Sequence, residues 1–387
     1  MAIPSFDGAA SYDVGGASQG ANLSLRQELH AILLADTMFL GRIGSAPAVK
    51  NIDHYFVEES LNATYVTLAE DLDNSETGVD VSTGDGAKVP IGSLLVNESE
   101  VGKDEVLQVT AVSTDTLTVV RGAGDSGPSA TTHTSGSRLR VIAQAKQEGD
   151  ENITDRSVAR TRVHNVCQIF KREVKISGTQ QSIDMAGVPN EYTHQVGRRM
   201  LELKRELAMS AWAGVKITNS GTGGSDSVIR SMNGVRNFVR AQSSQVDSST
   251  SAFDEPLLNA LYKKIYDKGG EANIAVGTAN QMTKFSSLHL DKIRYAPSDR
   301  ARGTFVKKYL TAYGNELDLL IDRWALPGDL MLLDSNRVKL APLQSREFQA
   351  TPLAPAGDAL KGMIVGEYTL EVHNAAECFA LATALAL

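Results

Sequence analysis

The chain is predicted to adopt an α+β fold, and three observations carry that prediction. A run from Val166 to Val215 begins as an alternating strand, breaks at a glycine-bearing turn and becomes one long charged helix. Between about Thr77 and Ala143 helical periodicity disappears and Gly, Ser, Thr, Asp and Val dominate, the pattern of short strands joined by turns. From Phe253 to Leu320 helical and strand patterns alternate. At 387 residues and 42% apolar composition, the chain is long enough for two or three sub-domains with packed interiors.

Taken in order, a Gly/Ala/Ser-rich opening precedes Ser24-Leu-Arg-Gln27, a capping-box start to a helix whose apolar stripe is Leu25, Leu29, Ile32 and Leu33. Thr37 to Gly44 closes this arm, and Asn51 to Leu61 reads as extended chain carrying Tyr55 and Phe56. Strands are expected at Leu94–Val96, Glu105–Ser113, Thr116–Arg121 and Arg138–Ile142, together a small all-β insertion. Ala145 to Thr161 is charged and returns the chain. Pro189 and Asn190 then open the long helix, whose seam is Val196, Met200, Leu203, Leu207 and Ala211. Arg198–Glu202 and Glu202–Arg205 are spaced to pair across a turn, each worth about 0.2–0.5 kcal/mol. Gly221 to Ser225 is a loop. A helix at Pro256–Asp267, a buried strand at Ala272–Val276 and short strands at Leu317–Asp322 and Asp329–Asp334 follow, and Gly362 to Cys378 alternates well enough to rejoin a sheet.

A net charge of −8 argues against an obligate DNA-binding protein and fits a wall that encloses DNA without gripping it. Cys167 and Cys378 lie far apart and read as buried free thiols. Met1 to Val14 lacks the basic start and apolar centre of a signal peptide, and the apolar C-terminal run is too short to span a membrane.

Enzyme motifs match by letter and fail by context. Gly16-Ala-Ser18-Gln-Gly20 spells a nucleophile elbow, but a polar arm stands where the buried strand should be. Gly122 to Gly127 spells G-x-G-x-x-G, but the turn-like Pro128 to His133 stands where a phosphate-facing helix is needed, so a hairpin loop is expected. Asp71, Asp73, Glu76, Asp80 and Asp85 lack the order and closing Glu of a calcium loop and read as a solvated acidic loop. The histidines show no ligand spacing, and His133 and His373 read as local hydrogen-bonding groups. No catalytic, cofactor or metal residue is predicted. Two basic stretches stand out: Arg156, Arg160, Arg162, Lys171, Arg172 and Lys175, and Lys292, Arg294, Arg300, Arg302, Lys307 and Lys308. A solvated face is one reading. The other makes Arg294, Arg300, Arg302, Lys307, Lys308, Arg156 and Arg160 candidate inter-subunit contacts, paired with the acidic insertion or with neighbouring loops.

With these residues in hand, the chain resembles the tailed-bacteriophage major capsid proteins of the Hong Kong 97-type (HK97-like) fold, in the podovirus-type branch. Three blocks carry the resemblance: Thr37 to Gly44 with Asn51 and His54 to Leu61; Arg162-Val-His-Asn165 through Gln168 to Thr179; and Glu202 to Leu207 followed by Arg230-Ser-Met-Asn-Gly234. Met38 and Phe56 depart from the branch's usual Pro and Trp. The insertion also resembles a small domain met in virion proteins, through Glu105–Val109, Leu117 to Gly122, His133 and Gly136.

The resemblance implies an N-terminal arm (1–45), an extended loop (46–165) bearing the β-rich insertion (about 77–143), a peripheral domain (166–250 and 340–387) with the long helix as spine, and an axial domain (251–339). It implies hexamers and pentamers closing into an icosahedral head around phage double-stranded DNA, in a virion assembled in the host bacterial cytoplasm, with no membrane and no sequence-specific DNA contact. A separate scaffolding protein is expected because little chain precedes the Ser24 helix, together with a portal; the sequence leaves a decoration protein open. A cellular encapsulin-like nanocompartment shell is the nearest rival, and a hydrolase using Ser18 the rival of a different class.

Overall fold

The computed structural model describes residues 38–59, 64–124, 128–146, 148–149, 159–183, 188, 190–218, 229–247, 253–288, 308–354 and 357–386. The expected Ser24 helix, Ser18 and the Gly221–Ser225 loop lie outside them. Two compact units divide the chain: Met1–Phe56 with Val163–Leu387, and Val57–Arg162.

The chain runs through α1 (Met38–Arg42), β1 (Gly44–Ser45) and β2 (Asp53–Glu58) into the second unit. There β3 (Tyr65–Thr67), β4 (Gly78–Asp80), β5 (Ser93–Asn97), β6 (Val106–Ser113), β7 (Thr116–Val120) and β8 (Arg138–Gln144) pair in the order β3-β8-β5-β6-β7-β4. The ends of this sheet meet. Leu68 bridges Val81, Ala69 N–H donates to Asp80 O at 2.8 Å, and Ser82 N–H donates to Thr67 O at 2.8 Å. The insertion is therefore a closed six-stranded barrel, in which every strand has a paired neighbour on each side among the described residues over at least part of its length. Alternation explains its filling: in β7, Leu117 and Val119 point inward while Thr116, Thr118 and Val120 are exposed. Val66, Val79, Leu95, Leu107 and Leu139 complete the lumen. The sheet takes in Tyr65–Thr67, ahead of the expected start near residue 77.

The return passes through β9 (Thr161–Val166), which pairs with β2 as a two-stranded ribbon. β10 (Gln168–Ser177), α2 (Gly178–Ser182), α3 (Glu191–Ala213), α4 (Val235–Arg240), β11 (Val246–Asp247), α5 (Glu255–Tyr266), β12 (Ile274–Gly277) and α6 (Ala279–Ser287) follow. Then come β13 (Lys308–Leu310), β14 (Glu316–Ile321), β15 (Leu330–Leu333), β16 (Val338–Pro342), β17 (Gln349–Leu353), β18 (Ala359–Val372), α7 (Ala375–Cys378) and β19 (Ala380–Ala382).

The long helix forms where expected. Asn190 Oδ1 accepts from Thr193 N–H at 3.1 Å, and Glu191 sits in the positive first turn. Over 23 residues α3 extends about 34 Å. Leu203, Leu207, Ala208, Ala211 and Trp212 are buried, and Val196 and Met200 pack against the same core. Phe39 meets Trp212 edge-on at 5.3 Å, tying α1 to the helix. The chain leaves through Gly214, where Gly234 lies so close that a Cβ on it would sit 2.6 Å from Gly214 N. One expectation fails: Glu202 pairs with Arg199, not with Arg198 or Arg205, and Arg205 lies over the Trp324 ring at 5.7 Å. The glycine-bearing turn after β10 is the short helix α2, capped by Ser177.

Two sheets build the first unit: β1-β16-β18-β10, with β17 also on β18, and β11-β19-β15-β12-β14-β13. In the second, β12 and β15 are buried on both faces, which is why they read as unbroken apolar runs. Ile274, Val276, Met331 and Leu333 join one core with the α3 seam, while Ala275, Leu330 and Leu332 join another with α5. β19, from the expected peripheral segment, lies in this sheet beside strands of the expected axial segment.

Candidate assembly surfaces

The blocks that carried the family resemblance meet in space as structural locks. Asn165, fully buried, donates through Nδ2 to Leu370 O at 2.7 Å and to Asn233 O at 3.2 Å, and its Oδ1 accepts from Asn233 N–H at 2.8 Å. Gln168 Oε1 accepts from Met232 N–H at 3.1 Å. The Arg230 guanidinium reaches Glu367 at 3.1 Å, and Arg346 reaches the same carboxylate at 2.6 Å. These contacts fasten β9, β10, β18 and the segment after α3 into one body. Glu367 and Arg346 carry no motif signal and were not anticipated.

The insertion has its own lock. Glu105 is fully buried, and its carboxylate accepts from Arg121 Nε at 2.7 Å, Arg121 Nη2 at 2.8 Å, Gly122 N–H at 2.9 Å, Thr131 N–H at 2.8 Å and His133 Nε2 at 3.2 Å. Burial alone would raise its pKa, but the Arg121 hydrogen bonds and the Thr131 and Gly122 amides hold it down to about 2. The G-x-G-x-x-G letters begin at a turn where Gly122, with φ of +58°, is fastened to Glu105; the expected hairpin does not form, because β7 pairs with β6 and β4 and the chain crosses on to β8, which pairs with β3 and β5. His133 is a local hydrogen-bonding group, with Asn97 Nδ2 donating to its Nδ1 at 2.9 Å. The acidic run is not a solvated loop throughout: Asp73 accepts from Ser75 and Glu76 N–H in a turn and Asp71 from Ser135 N–H, each at 2.7 Å, while Asp80 lies in β4 and the buried Asp85 accepts from Thr67 N–H at 2.9 Å. Among the described residues no group of three or more acidic, His or Cys side chains is arranged to hold a metal ion.

Of the predicted contact residues, Arg294, Arg300, Arg302, Lys307 and Arg156 lie outside the described residues. Lys308 and Arg160 are exposed and paired within the chain, Lys308 with Glu316 at 3.0 Å and Arg160 with Glu59 at 3.2 Å. Lys171 meets Glu173 at 2.8 Å and Arg172 meets Glu206 at 2.9 Å. Both cysteines are buried and free, and burial pushes the Cys167 thiol up to about 11. Among the described residues no helix is long and apolar enough to cross a membrane.

Among the described residues, two features bear on assembly. β10 ends its sheet, so its outer edge has no paired strand among the described residues, and a groove of about 430 Å³ is lined by Glu173, Lys175 and Ser177 of β10, Gln180 of α2, and Glu191 and Arg199 of α3. Charge is also divided unevenly. Residues 57–162 hold 18 acidic and nine basic side chains of the 46 and 38 in the chain, a net −9 that leaves +1 for the rest.

At the root of the ribbon three histidines gather. His54 Nε2 lies 2.7 Å from Glu371 Oε1 and His373 Nε2 lies 3.2 Å from Glu371 Oε2. His164 Nε2 lies 3.3 Å from Asp53 Oδ1, Lys216 Nζ lies 3.2 Å from His164 Nδ1, and Tyr55 stacks on the His164 ring at 4.7 Å.

Solved structures with related backbones include the capsid of an empty GTA particle (9% identity, 98% of this chain and 99% of that chain, TM-score 0.47). Others are the cyanophage A-1(L) capsid asymmetric unit (7%, 64% and 85%, 0.46) and Mycobacterium phage Bobi (9%, 92% and 94%, 0.44). Among curated proteins none matches this chain significantly. The family model described as SU10 major capsid protein matches residues 12–386. By that match, which spans nearly every element described above, the chain belongs to the SU10 major capsid protein family and is a capsid-forming protein.

Proposed function

We propose that the chain is the shell subunit of a tailed-phage head, assembling as hexamers and pentamers into an icosahedral capsid around double-stranded DNA. The observation that carries this reading is the family match over residues 12–386. Three features support it. The ten-residue β10 offers an unpaired edge of the kind a neighbouring strand extends. The uneven charge favours contacts between the acidic barrel of one copy and basic surfaces of another, Arg294, Arg300, Arg302, Lys307 and Lys308 among them. The locks around Asn165, Glu367 and Glu105 keep each unit stiff, so that many modest contacts add up when a shell closes.

In this reading residues 1–45 are the arm, 46–165 the extended loop, 166–250 with 340–387 the peripheral region and 251–339 the axial region, with β19 completing the axial sheet. The role is structural, with no part for Ser18 as a nucleophile. A scaffolding protein and a portal are the partners, and the finished subunit resides in the virion after assembly in the host cytoplasm.

The test is expression of the full chain alone and with its neighbouring genes, followed by particle mass from light scattering and electron microscopy. Closed shells or rings of five and six are expected, and their yield should fall in an Arg300→Glu/Arg302→Glu variant. A strictly monomeric product in both preparations would overturn the assembly reading. A shell that encloses a specific cellular cargo peptide in place of DNA would overturn the phage-head reading in favour of a nanocompartment.

A further inference from the structure

The histidines at the ribbon root face two chemically opposite settings. Glu371 sits near the end of β18, and its carboxylate oxygens are shared between His54 of β2 and His373 just beyond β18. The His54 hydrogen bond, then that of His373, holds this carboxyl below its usual range against the effect of burial. It therefore stays ionised where imidazoles take up protons, near pH 6.5. A neutral imidazole already donates Nε2–H to such a carboxylate. A protonated one donates the same hydrogen and adds a full positive charge, which roughly doubles the strength of the bond.

His164 of β9 is arranged the other way. Its Nε2–H donates to Asp53, so its Nδ1 must keep a lone pair to accept from the Lys216 ammonium. Protonation puts a hydrogen on Nδ1 and a positive charge beside Lys216, which ends that contact. Other charged groups face these rings as well. Lys339 of β16 lies directly opposite Glu371 in the ladder. The Arg337 carbonyl accepts from His373 N–H at 3.0 Å, while its guanidinium meets Asp334 at 3.7 Å and Asn374 at 3.0 Å. Lys339 and Arg337 bear on the Glu371 side, and neither meets His164.

We propose that His54, His373 and His164 make the root of the β2–β9 ribbon a proton-responsive joint. Acidification tightens β2 on β18 through Glu371 and breaks the Lys216–His164 contact between β9 and residues 214–218, while Asn165 keeps β9 on Asn233. The two strands of one ribbon thus respond in opposite senses: on acidification the Glu371 brace on β2 strengthens and the Lys216 brace on β9 is lost. This inference does not depend on the assembled form, because every group involved belongs to one chain.

Amide hydrogen exchange on the full chain tests it, at pH 8.0 and 5.5, corrected for intrinsic rates, with light scattering to confirm equal particle size at both values. Peptides over 53–58 should exchange roughly tenfold more slowly at pH 5.5, and peptides over 214–218 several-fold faster. His54→Gln/His373→Gln, whose amides still donate but cannot take up a proton, should lose the first response and keep the second. His164→Gln should lose the second alone. Lys216→Met should show fast exchange over 214–218 at both pH values, a check that needs no histidine variant to fold. Equal exchange at the two pH values in the wild-type chain, or responses that survive in the glutamine variants, would overturn the joint.

Discussion

Glu105→Ala should uncouple the barrel from the rest of the chain. The substitution removes the acceptor of five hydrogen-bond contacts inside a fully buried site. It strands the Arg121 guanidinium, 7% exposed, beside apolar strands, and Arg121 keeps only carbonyl partners such as Thr131 O at 2.6 Å and Glu76 O at 2.9 Å. Breaking one side of a buried pair costs about 3–5 kcal/mol, and the orphaned Gly122 and Thr131 amides add to that. A domain of roughly 100 residues has only about 5–15 kcal/mol in total, so most of the barrel's stability should go. The sequence itself supplies separate probes. The two tryptophans, Trp212 and Trp324, both lie in the first unit, so their fluorescence reports that unit, while hydrogen exchange over 65–144 reports the barrel.

In urea, the expected result is an unchanged tryptophan midpoint together with loss of slow exchange in the barrel. Glu105→Ala/Arg121→Met should recover much of the loss, because no buried charge is then left alone. The pH dependence has a definite sign. The folded carboxyl lies at about 2, below its unfolded value of 4.5, so its stabilisation is complete above pH 4.5 and disappears as pH falls towards 2. The reasoning fails if Glu105→Ala shifts barrel stability by less than about 1 kcal/mol, or if the double variant is no better than the single one.

Gly234→Ala should destabilise the first unit by about 1–3 kcal/mol, because its Cβ would meet the Gly214 N and Trp212 O backbone atoms at 2.6 and 2.7 Å; a tryptophan midpoint equal to wild type would contradict this. Replacing residues 60–160 by a short Gly/Ser linker should leave the first unit folded, since β2 and β9 already pair at the point of exit and return; loss of cooperative tryptophan unfolding would count against it. Cys167, buried with its thiol pushed up to about 11, should resist iodoacetamide in the native chain and react only after unfolding, as read by intact mass. Lys175→Glu should stabilise the first unit by about 0.2–1 kcal/mol, because Lys175 lies directly opposite Lys361 in the ladder; a lower urea midpoint would refute that.

Local rules predict this fold where local physics decides it. α3 follows from a cap at Asn190 and a seam at three- and four-residue steps, and β7 from the alternation Thr116-Leu-Thr-Val119. Three-residue strands such as β3 and β4 are too short to show a period, and their closure into a barrel depends on a bridge between Leu68 and Val81 that no pattern announces. β19 sits in Phe-Ala-Leu-Ala-Thr-Ala-Leu, apolar towards both faces, so periodicity is silent about which sheet it joins. α6 is mostly polar and gives little helical contrast. The candidate sites divide the same way. His133 was expected as a local hydrogen-bonding group and is one. The Glu371 cluster joins residues 317 apart in sequence, a distance at which only the tertiary fold supplies the contact.

The chain ends its sheets in two different ways, and the difference suits a subunit that must stay separate before it joins its neighbours. Among the described residues the barrel's sheet closes on itself, which limits how far its exposed apolar side chains, such as Val120, can be reinforced by backbone pairing with another chain. β10 keeps a ten-residue edge, but its outward face alternates Lys171, Glu173 and Lys175, with Lys361 beside them on β18. A strand that docks there gains backbone hydrogen bonds whatever its sequence, but an acidic side chain opposite Lys175 adds attraction and a basic one adds repulsion. On the proposed reading of β10 as a docking edge, selectivity there comes from side-chain charge and affinity from the backbone. Salt should weaken the first while barely touching the second, which makes assembly most discriminating at low ionic strength and most error-prone when charges are screened.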